Sequence, residues 1–230
     1  LVSVVVQRSC AHGKGGHFVE EEVQAVVVVE HHHHVGLDLA QPLLHGRKAV
    51  EKGLPVRFLL RATMDCAPSV GNARPWRVIR VDSSDLRAQV RANFQTCNAV
   101  AAQLYSGDKH AEYLALKLAG LDAAPVQLAV FTVMDPEAGY GLGRQTLPET
   151  LRQSTAMAMH TLWLAARAEN LGLGMVSILE PHGIEALLDV PKGWEFAAYL
   201  CLGHPEFMDD TPLLHRSGWQ ANATTEWDRR

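Results

Sequence analysis

Two short stretches of this chain carry residue types able to do chemistry. The first is Ala67-Pro68-Ser69-Val70-Gly71-Asn72-Ala73-Arg74-Pro75-Trp76, which reads as a tight, polar-lined loop entering a strand over 77–81. Pro68 and Pro75 fix φ, and Gly71 allows a turn or close backbone approach that other residues resist. Such a loop presents backbone N–H groups and the Ser69 hydroxyl to a ligand. Pro-Ser-Gly loops are more often plain turns, so the signal gains weight only from a second one. That second signal is Ser177, within the apolar run Gly174-Met175-Val176-Ser177-Ile178-Leu179. The run reads as a buried strand, where a hydroxyl needs a hydrogen-bond partner. A bound ligand would supply one.

Other groupings are weaker. Neither Ser69 nor Ser177 lies in a Gly-x-Ser-x-Gly elbow, and no base is placed beside either, so a hydrolase reading has no support. Gly139-Tyr140-Gly141-Leu142-Gly143 lacks the spacing of a dinucleotide fingerprint and reads as a flexible loop. Cys10, His12, His17 and the run His31–His34 hold metal-ligating side chains, but no spacing fixes a geometry. They read as an adventitious surface binder, and no metal site is expected. Trp76, Trp163, Trp194 and Trp219 read as core or interface anchors. His160 reads as a satisfied core histidine and Lys117 as solvated.

The elements that must position these residues are legible beyond about residue 57. Ser83 or Ser84 caps a helix over 84–105, with Leu86, Val90, Phe94, Cys97 and Ala101 at helical spacing. A second helix spans 109–119 and ends at Gly120. Val126 to Val133 is a buried strand. Residues 136–148 hold three glycines and two prolines and form a loop. The strongest helix runs from Pro148 to Asn170, with Gly172 as its stop. Its Ala-, Leu- and Met-rich surface suits a central buried helix or a dimer interface. The strand 174–179, a short helix over 183–189 stopped by Pro191, and a strand from Glu195 to Leu202 follow. The irregular alternation of helices and strands gives the class α+β.

Composition sets the outer limits. At 230 residues, 47% hydrophobic and 20% charged, the chain is one globular domain or one domain with an arm. A net charge of −4, with 21 scattered Lys and Arg, excludes a nucleic-acid footprint. The apolar runs are too short to span a bilayer, and no signal-peptide pattern opens the sequence. Cys10, Cys66, Cys97 and Cys201 show no CxxC spacing and read as reduced thiols of a cytoplasmic protein. Residues 1–57, with their valine and histidine runs, form an atypical N-terminal segment. Residues 58–220 form the domain and 221–230 a polar tail.

From about Phe58 to Trp219 the chain resembles the dimethylbenzimidazole synthases of the BluB family, a branch of the nitroreductase-like FMN proteins. The resemblance rests on Ala67 to Trp76, Tyr105-Ser106-Gly107, Tyr113 with Leu116-Lys117-Leu118, and Gly141 to Arg144. Leu162 to Glu169, Gly172 to Leu179 and Tyr199 to Gly203 extend it. It implies a nitroreductase-like α+β homodimer with a mixed or antiparallel sheet flanked by helices and FMN at the subunit interface. It also implies that reduced FMN is consumed as substrate. Dioxygen attacks it, and the flavin fragments to 5,6-dimethylbenzimidazole, the lower ligand of cobalamin. A separate NAD(P)H-dependent flavin reductase supplies the reduced flavin. Ser177 falls at the family's catalytic serine near flavin N5. Pro68, Ser69 and Gly71 match its flavin-contacting loop, and Leu118 a further contact. Tyr105 to Leu118 matches a lid.

The chain departs from the family at its N-terminal Arg-Arg-Asp-Val-Arg. The nearest match is His32-His33-His34-Val35-Gly36. This puts His32, His33 and Gly36 at positions that bind the flavin phosphate, and His34 at the catalytic aspartate. Imidazole holds a phosphate dianion less well than guanidinium. Two accounts fit: a divergent or impaired member, or a misreading of residues 1–57, and the second is favoured because each of these replacements is a single-base change. An intact mass matching the written sequence would overturn that account. Two rival functions remain open here. One is an FMN-dependent reductase of nitroaromatics or of cob(II)yrinate-type corrinoids; the other is a flavin- or corrinoid-binding module without activity.

Overall fold

The computed structural model describes residues 56–116, 120–206 and 211–228. In chain order they form α1 (Val56–Met64), a 3₁₀ turn (Val70–Asn72), β1 (Trp76–Arg80), α2 (Ser84–Ala102), α3 (Gly107–Ala115) and α4 (Gly120–Ala123). Then come β2 (Val126–Val133), α5 (Thr150–Ala168), β3 (Gly172–Val176), α6 (Pro181–Leu187), β4 (Trp194–Gly203) and α7 (Leu213–Arg216). The strands make one sheet in the order β1-β2-β4-β3, with every described pairing antiparallel. β2 and β4 occupy the centre, which is why both are long, nearly unbroken apolar runs.

Each face of the sheet is covered by helices, because successive strand residues point to opposite sides. Val130, Leu200, Ala198 and Leu173 pack with Leu60 and Met64 of α1 and with Ala158, Leu162 and Ala166 of α5. Ala129, Phe131, Tyr199 and Val176 pack on the other face with Val90 of α2, Leu121 of α4 and Ile184 of α6. A bulge at Ala197, where Val130 pairs Ala198 but Phe131 pairs Phe196, switches the parity of β4. Trp194 and Phe196 therefore join the same face as Tyr199 and Cys201.

Several predicted boundaries shift for local reasons. β3 begins at Gly172 and ends at Val176, two residues earlier at its start than the apolar run suggests and three at its end. The stop of α5 is Asn170 at φ 57, not Gly172. The Asn170 N–H donates to Arg167 O at 3.0 Å and the Leu171 N–H to Ala166 O at 2.8 Å, closing the last carbonyls. The predicted helix 109–119 starts at Gly107 and ends at Ala115, and Gly120 opens α4 instead of stopping a longer helix. The helix predicted over 183–189 begins at Pro181, with the Glu180 carboxylate accepting the N–H groups of His182 and Gly183. His160 is exposed on α5 rather than a core residue.

The buried polar groups are paired, which makes their loss costly. The Tyr199 hydroxyl donates to Gln127 Oε1 at 2.8 Å, and Gln127 Nε2 donates to Leu121 O at 3.1 Å. Both side chains are about fully buried. A Tyr199→Phe chain leaves the Gln127 oxygen unpaired and is expected to lose about 1–3 kcal/mol, read from urea unfolding. Unchanged stability would show that water or Gln127 rotation satisfies the oxygen. Cys201 lies beside this pair, and burial pushes its thiol up to about 12. Since the thiolate is the nucleophile, Cys201 is expected to escape a disulfide reagent at pH 8 while exposed Cys66 reacts. Mass spectrometry of the labelled native chain checks this, and a labelled Cys201 would contradict it.

Candidate active site

The Ala67–Trp76 loop is held rigidly at its base. The Val70 N–H donates to Ser154 Oγ at 3.0 Å, and that hydroxyl donates onward to Thr150 O at 2.6 Å. Ser154 is buried on α5. Thus the central helix fixes the loop, a role that no sequence pattern around Ser154 signals. Trp76 anchors the other end in the core, with its indole N–H toward Asp65 Oδ1 at 3.4 Å. Inside the loop the Ser69 Oγ accepts the Arg74 N–H at 3.1 Å. A hydroxyl has one donor and two lone pairs, and among the described residues nothing takes the Ser69 O–H, which can donate to a ligand. Pro68 is exposed, and Ser69 and Gly71 are half-buried.

Backbone in the left-handed region concentrates here: Gly71 and Asn72 at φ 55 and Arg74 at φ 44. The Gly139–Gly143 segment explains the tightness. A Cβ on Gly71 would lie 3.0 Å from Gly139 O, and one on Gly139 would lie 2.8 Å from Gly71 O. One on Gly143 would strike the Val70 side chain at 2.8 Å. The three glycines therefore let two loops pack backbone to backbone. The segment expected to be a flexible loop is instead the second layer of the Ser69 loop. Arg144, just after it, is not a spare phosphate ligand. Its guanidinium pairs with Asp135 at 2.7 Å and donates to Pro136 O at 3.0 Å.

Ser177 is not buried in a strand. It is the first residue past β3, it is exposed, and its hydroxyl has no hydrogen-bond partner among the described residues. The apolar residues after it, Ile178 and Leu179, leave the ladder, and Leu179 packs in the core cluster with Ile184 of α6. Asn93 of α2 fixes that turn, accepting the Glu180 N–H at 2.8 Å and donating to Glu180 O at 3.3 Å. The chain does not bring Ser177 beside the Ser69 loop through the sheet. The loop feeds edge strand β1 and Ser177 leaves edge strand β3, with β2 and β4 between them. Three strand spacings separate the two edges by about 14 Å.

A third cluster surrounds α3. The rings of Tyr105 and Tyr113 stack at 4.8 Å, and Trp219 meets Tyr105 edge-on at 5.4 Å. The Tyr113 hydroxyl donates to Asn98 Oδ1 at 2.6 Å, and burial, reinforced by Tyr105, raises its pKa. Lys117 and Leu118 of the lid stretch lie outside the described residues, as do His32, His33, His34 and Gly36. Among the described residues no group of His, Cys, Asp and Glu could hold a metal ion. No helix among them is long and apolar enough to cross a membrane.

The comparisons give this geometry a family. Residues 47–204 match the model described as Nitroreductase family. Over 171 residues the chain is 67% identical to a 5,6-dimethylbenzimidazole synthase of Rhodobacter capsulatus, covering 74% of this chain and 83% of that relative. This chain belongs to the 5,6-dimethylbenzimidazole synthase branch of the nitroreductase family. A second synthase, from Rhodospirillum rubrum, is 51% identical over 162 residues, covering 70% of this chain and 77% of the relative. Two solved structures share the fold. An iodotyrosine deiodinase bound to FMN and 3-iodo-L-tyrosine has TM-score 0.57 at 19% identity, covering 90% of this chain and 96% of its own. A BluB-like flavoprotein from Clostridium difficile 630 has TM-score 0.51 at 21% identity, covering 82% and 90%. Like the expected nitroreductase fold, this synthase-branch chain is α+β with an antiparallel sheet between helices.

Proposed function

We propose that this chain converts reduced FMN and dioxygen to 5,6-dimethylbenzimidazole, with the flavin consumed. The observation that carries the reading is the 67% identity over 171 residues to a dimethylbenzimidazole synthase. The residues present suit a flavin ring. Ser177 offers an exposed hydroxyl without a partner among the described residues, and Ser69 an O–H that donates to none of them. Reduced flavin supplies the electrons that dioxygen takes up. Ser177 holds a hydroxyl that donates or accepts as the protonation of ring N5 changes. The lid stretch Tyr105–Leu118 excludes water, which would otherwise discharge the reaction as peroxide. His32, His33 and Gly36 stand at the family's phosphate-binding positions and His34 at its acid, and the phosphate end is held there only as well as the true residues of that stretch allow. Leu118 stands at a position of the family's flavin contacts.

The two edges of the sheet also bear on assembly. Ser177 and the Ser69 loop, about 14 Å apart across the sheet, suit two flavin sites shared between protomers of a homodimer. The outward face of α5, with Ala156, half-exposed Met157 and His160, suits the contact. A separate NAD(P)H-dependent reductase supplies the reduced FMN. Cys66, Cys97 and Cys201 are free thiols, as suits a cytoplasmic protein.

One experiment tests the reading. The full chain is mixed with chemically reduced FMN, then with air, and the small molecules are separated by chromatography. Dimethylbenzimidazole is expected to appear as FMN disappears. FMN returned oxidised and whole, with peroxide as the other product, would overturn the synthase reading in favour of a reductase or a binding module.

A further inference from the structure

The C-terminal segment holds α3 by more contacts than a polar tail requires. Trp219 is seized twice by Lys109. The ammonium donates to the Trp219 carbonyl at 3.0 Å and sits 4.0 Å from the centre of its ring. Glu112, one turn on, pairs with the same ammonium at 2.7 Å. The Trp219 ring also closes on Tyr105 at 5.4 Å and on Tyr113 at 6.4 Å. A built turn presents this tryptophan. Gly218 takes φ 78, the Gln220 N–H returns to Leu214 O at 3.2 Å, and the Asn222 N–H to His215 Nδ1 at 3.0 Å.

The other side of α3 rests on α2. Tyr113 reaches Asn98, and His110 Nδ1 lies 2.9 Å from Ala102 O. Asn98 is five residues from Asn93, which fixes the turn just after Ser177. Five residues of helix rise about 7.5 Å and turn about 140°, so α2 carries α3 and the Ser177 turn on different sides of one rod.

We propose that residues 212–222 are a latch, and that Trp219 is a positioning residue that keeps α3 closed on α2, the helix that also fixes the turn after Ser177. The latch thereby sets how reduced FMN divides between two fates. This rests on the synthase reading for its chemical consequence. When α3 is closed the flavin is fragmented. When α3 opens, two electrons and two hydrogens pass from reduced FMN to dioxygen, giving intact FMN and hydrogen peroxide.

The test compares the full chain with Trp219→Ala and Trp219→Phe. Dimethylbenzimidazole and peroxide are measured per reduced FMN oxidised in air, and trypsin cleavage after Lys109 is timed on the same samples. Trp219→Ala is expected to lower the dimethylbenzimidazole share at least about tenfold, with peroxide rising in step, and to speed cleavage about tenfold. Trp219→Phe keeps a ring under Lys109 and is expected to restore most of both. An Ala variant with the parent's product share would overturn the control of fate. An Ala variant cleaved at the parent's rate would overturn the latch itself, whatever the chemistry. If the parent makes no dimethylbenzimidazole, the synthase reading fails while the cleavage rates still decide the latch.

Discussion

Replacing Ser177 with alanine is expected to cut dimethylbenzimidazole formation by about 10²–10⁴-fold, the usual worth of a positioned proton-transfer group. The same change should leave two other quantities nearly untouched. Ser177 is exposed and has no hydrogen-bond partner among the described residues, so folding stability should stay within about 0.5 kcal/mol. FMN binding should weaken by about tenfold at most, the worth of one hydrogen bond of about 0.5–1.5 kcal/mol. The pattern is specific: chemistry lost, fold and binding kept. Single-turnover product yield, flavin titration and a thermal melt read the three quantities on one preparation. Alanine activity within threefold of the parent would remove the hydroxyl from the chemistry. Ser69 makes the contrasting case. Its Oγ holds the Arg74 N–H at 3.1 Å, so its loss would disturb the loop as well as any ligand.

What the sequence disclosed follows from how local each feature is. β2 was legible to the residue because Val126–Val133 is largely buried on both faces and so is apolar at every position but Gln127 and Thr132. α2 was legible because Ser83 marks its start, and its Oγ does accept the Leu86 N–H. Ser177 was misplaced because Ile178 and Leu179 are as apolar as the strand before them. Hydrophobicity reports burial, not the last rung of a ladder, and here Leu179 is buried with Ile184 of α6. Asn170 was passed over because glycine, two residues later, is the commoner left-handed stop. The bulge at Ala197 depends on a partner strand more than sixty residues away, and no window of β4 alone contains it. The site was legible as a list of residues but not as a layout. Ser154 under Val70, Gly139 against Gly71 and Trp219 under Lys109 are contacts of high sequence separation. Trp219 was visible in the sequence as an anchor, but its hold on Lys109 was not.

The Gly139–Gly71 contact leads to the second large expectation. A Gly139→Ala chain meets two costs at once. Its backbone at φ 81 lies where side chains strain, worth about 1–3 kcal/mol. Its new methyl stands 2.8 Å from the Gly71 carbonyl oxygen and 3.1 Å from the Ala73 Cβ. The first is backbone and cannot swing aside as a long side chain could, so one loop must move, at about 1–3 kcal/mol more. The expected loss is the sum of the two, about 2–6 kcal/mol. Gly193→Ala separates the two costs, because Gly193 has φ 91 but nothing within 4 Å of a Cβ. It should pay the backbone term alone. The difference between the two variants in urea unfolding is then the price of the loop contact. Because Ser69 and Gly71 lie on the displaced loop, Gly139→Ala should also weaken FMN binding, whereas Gly193→Ala should not. Equal losses in both variants would mean that the glycine loops meet without constraint. The Ser69 loop would then owe its shape to Ser154 and Trp76 alone.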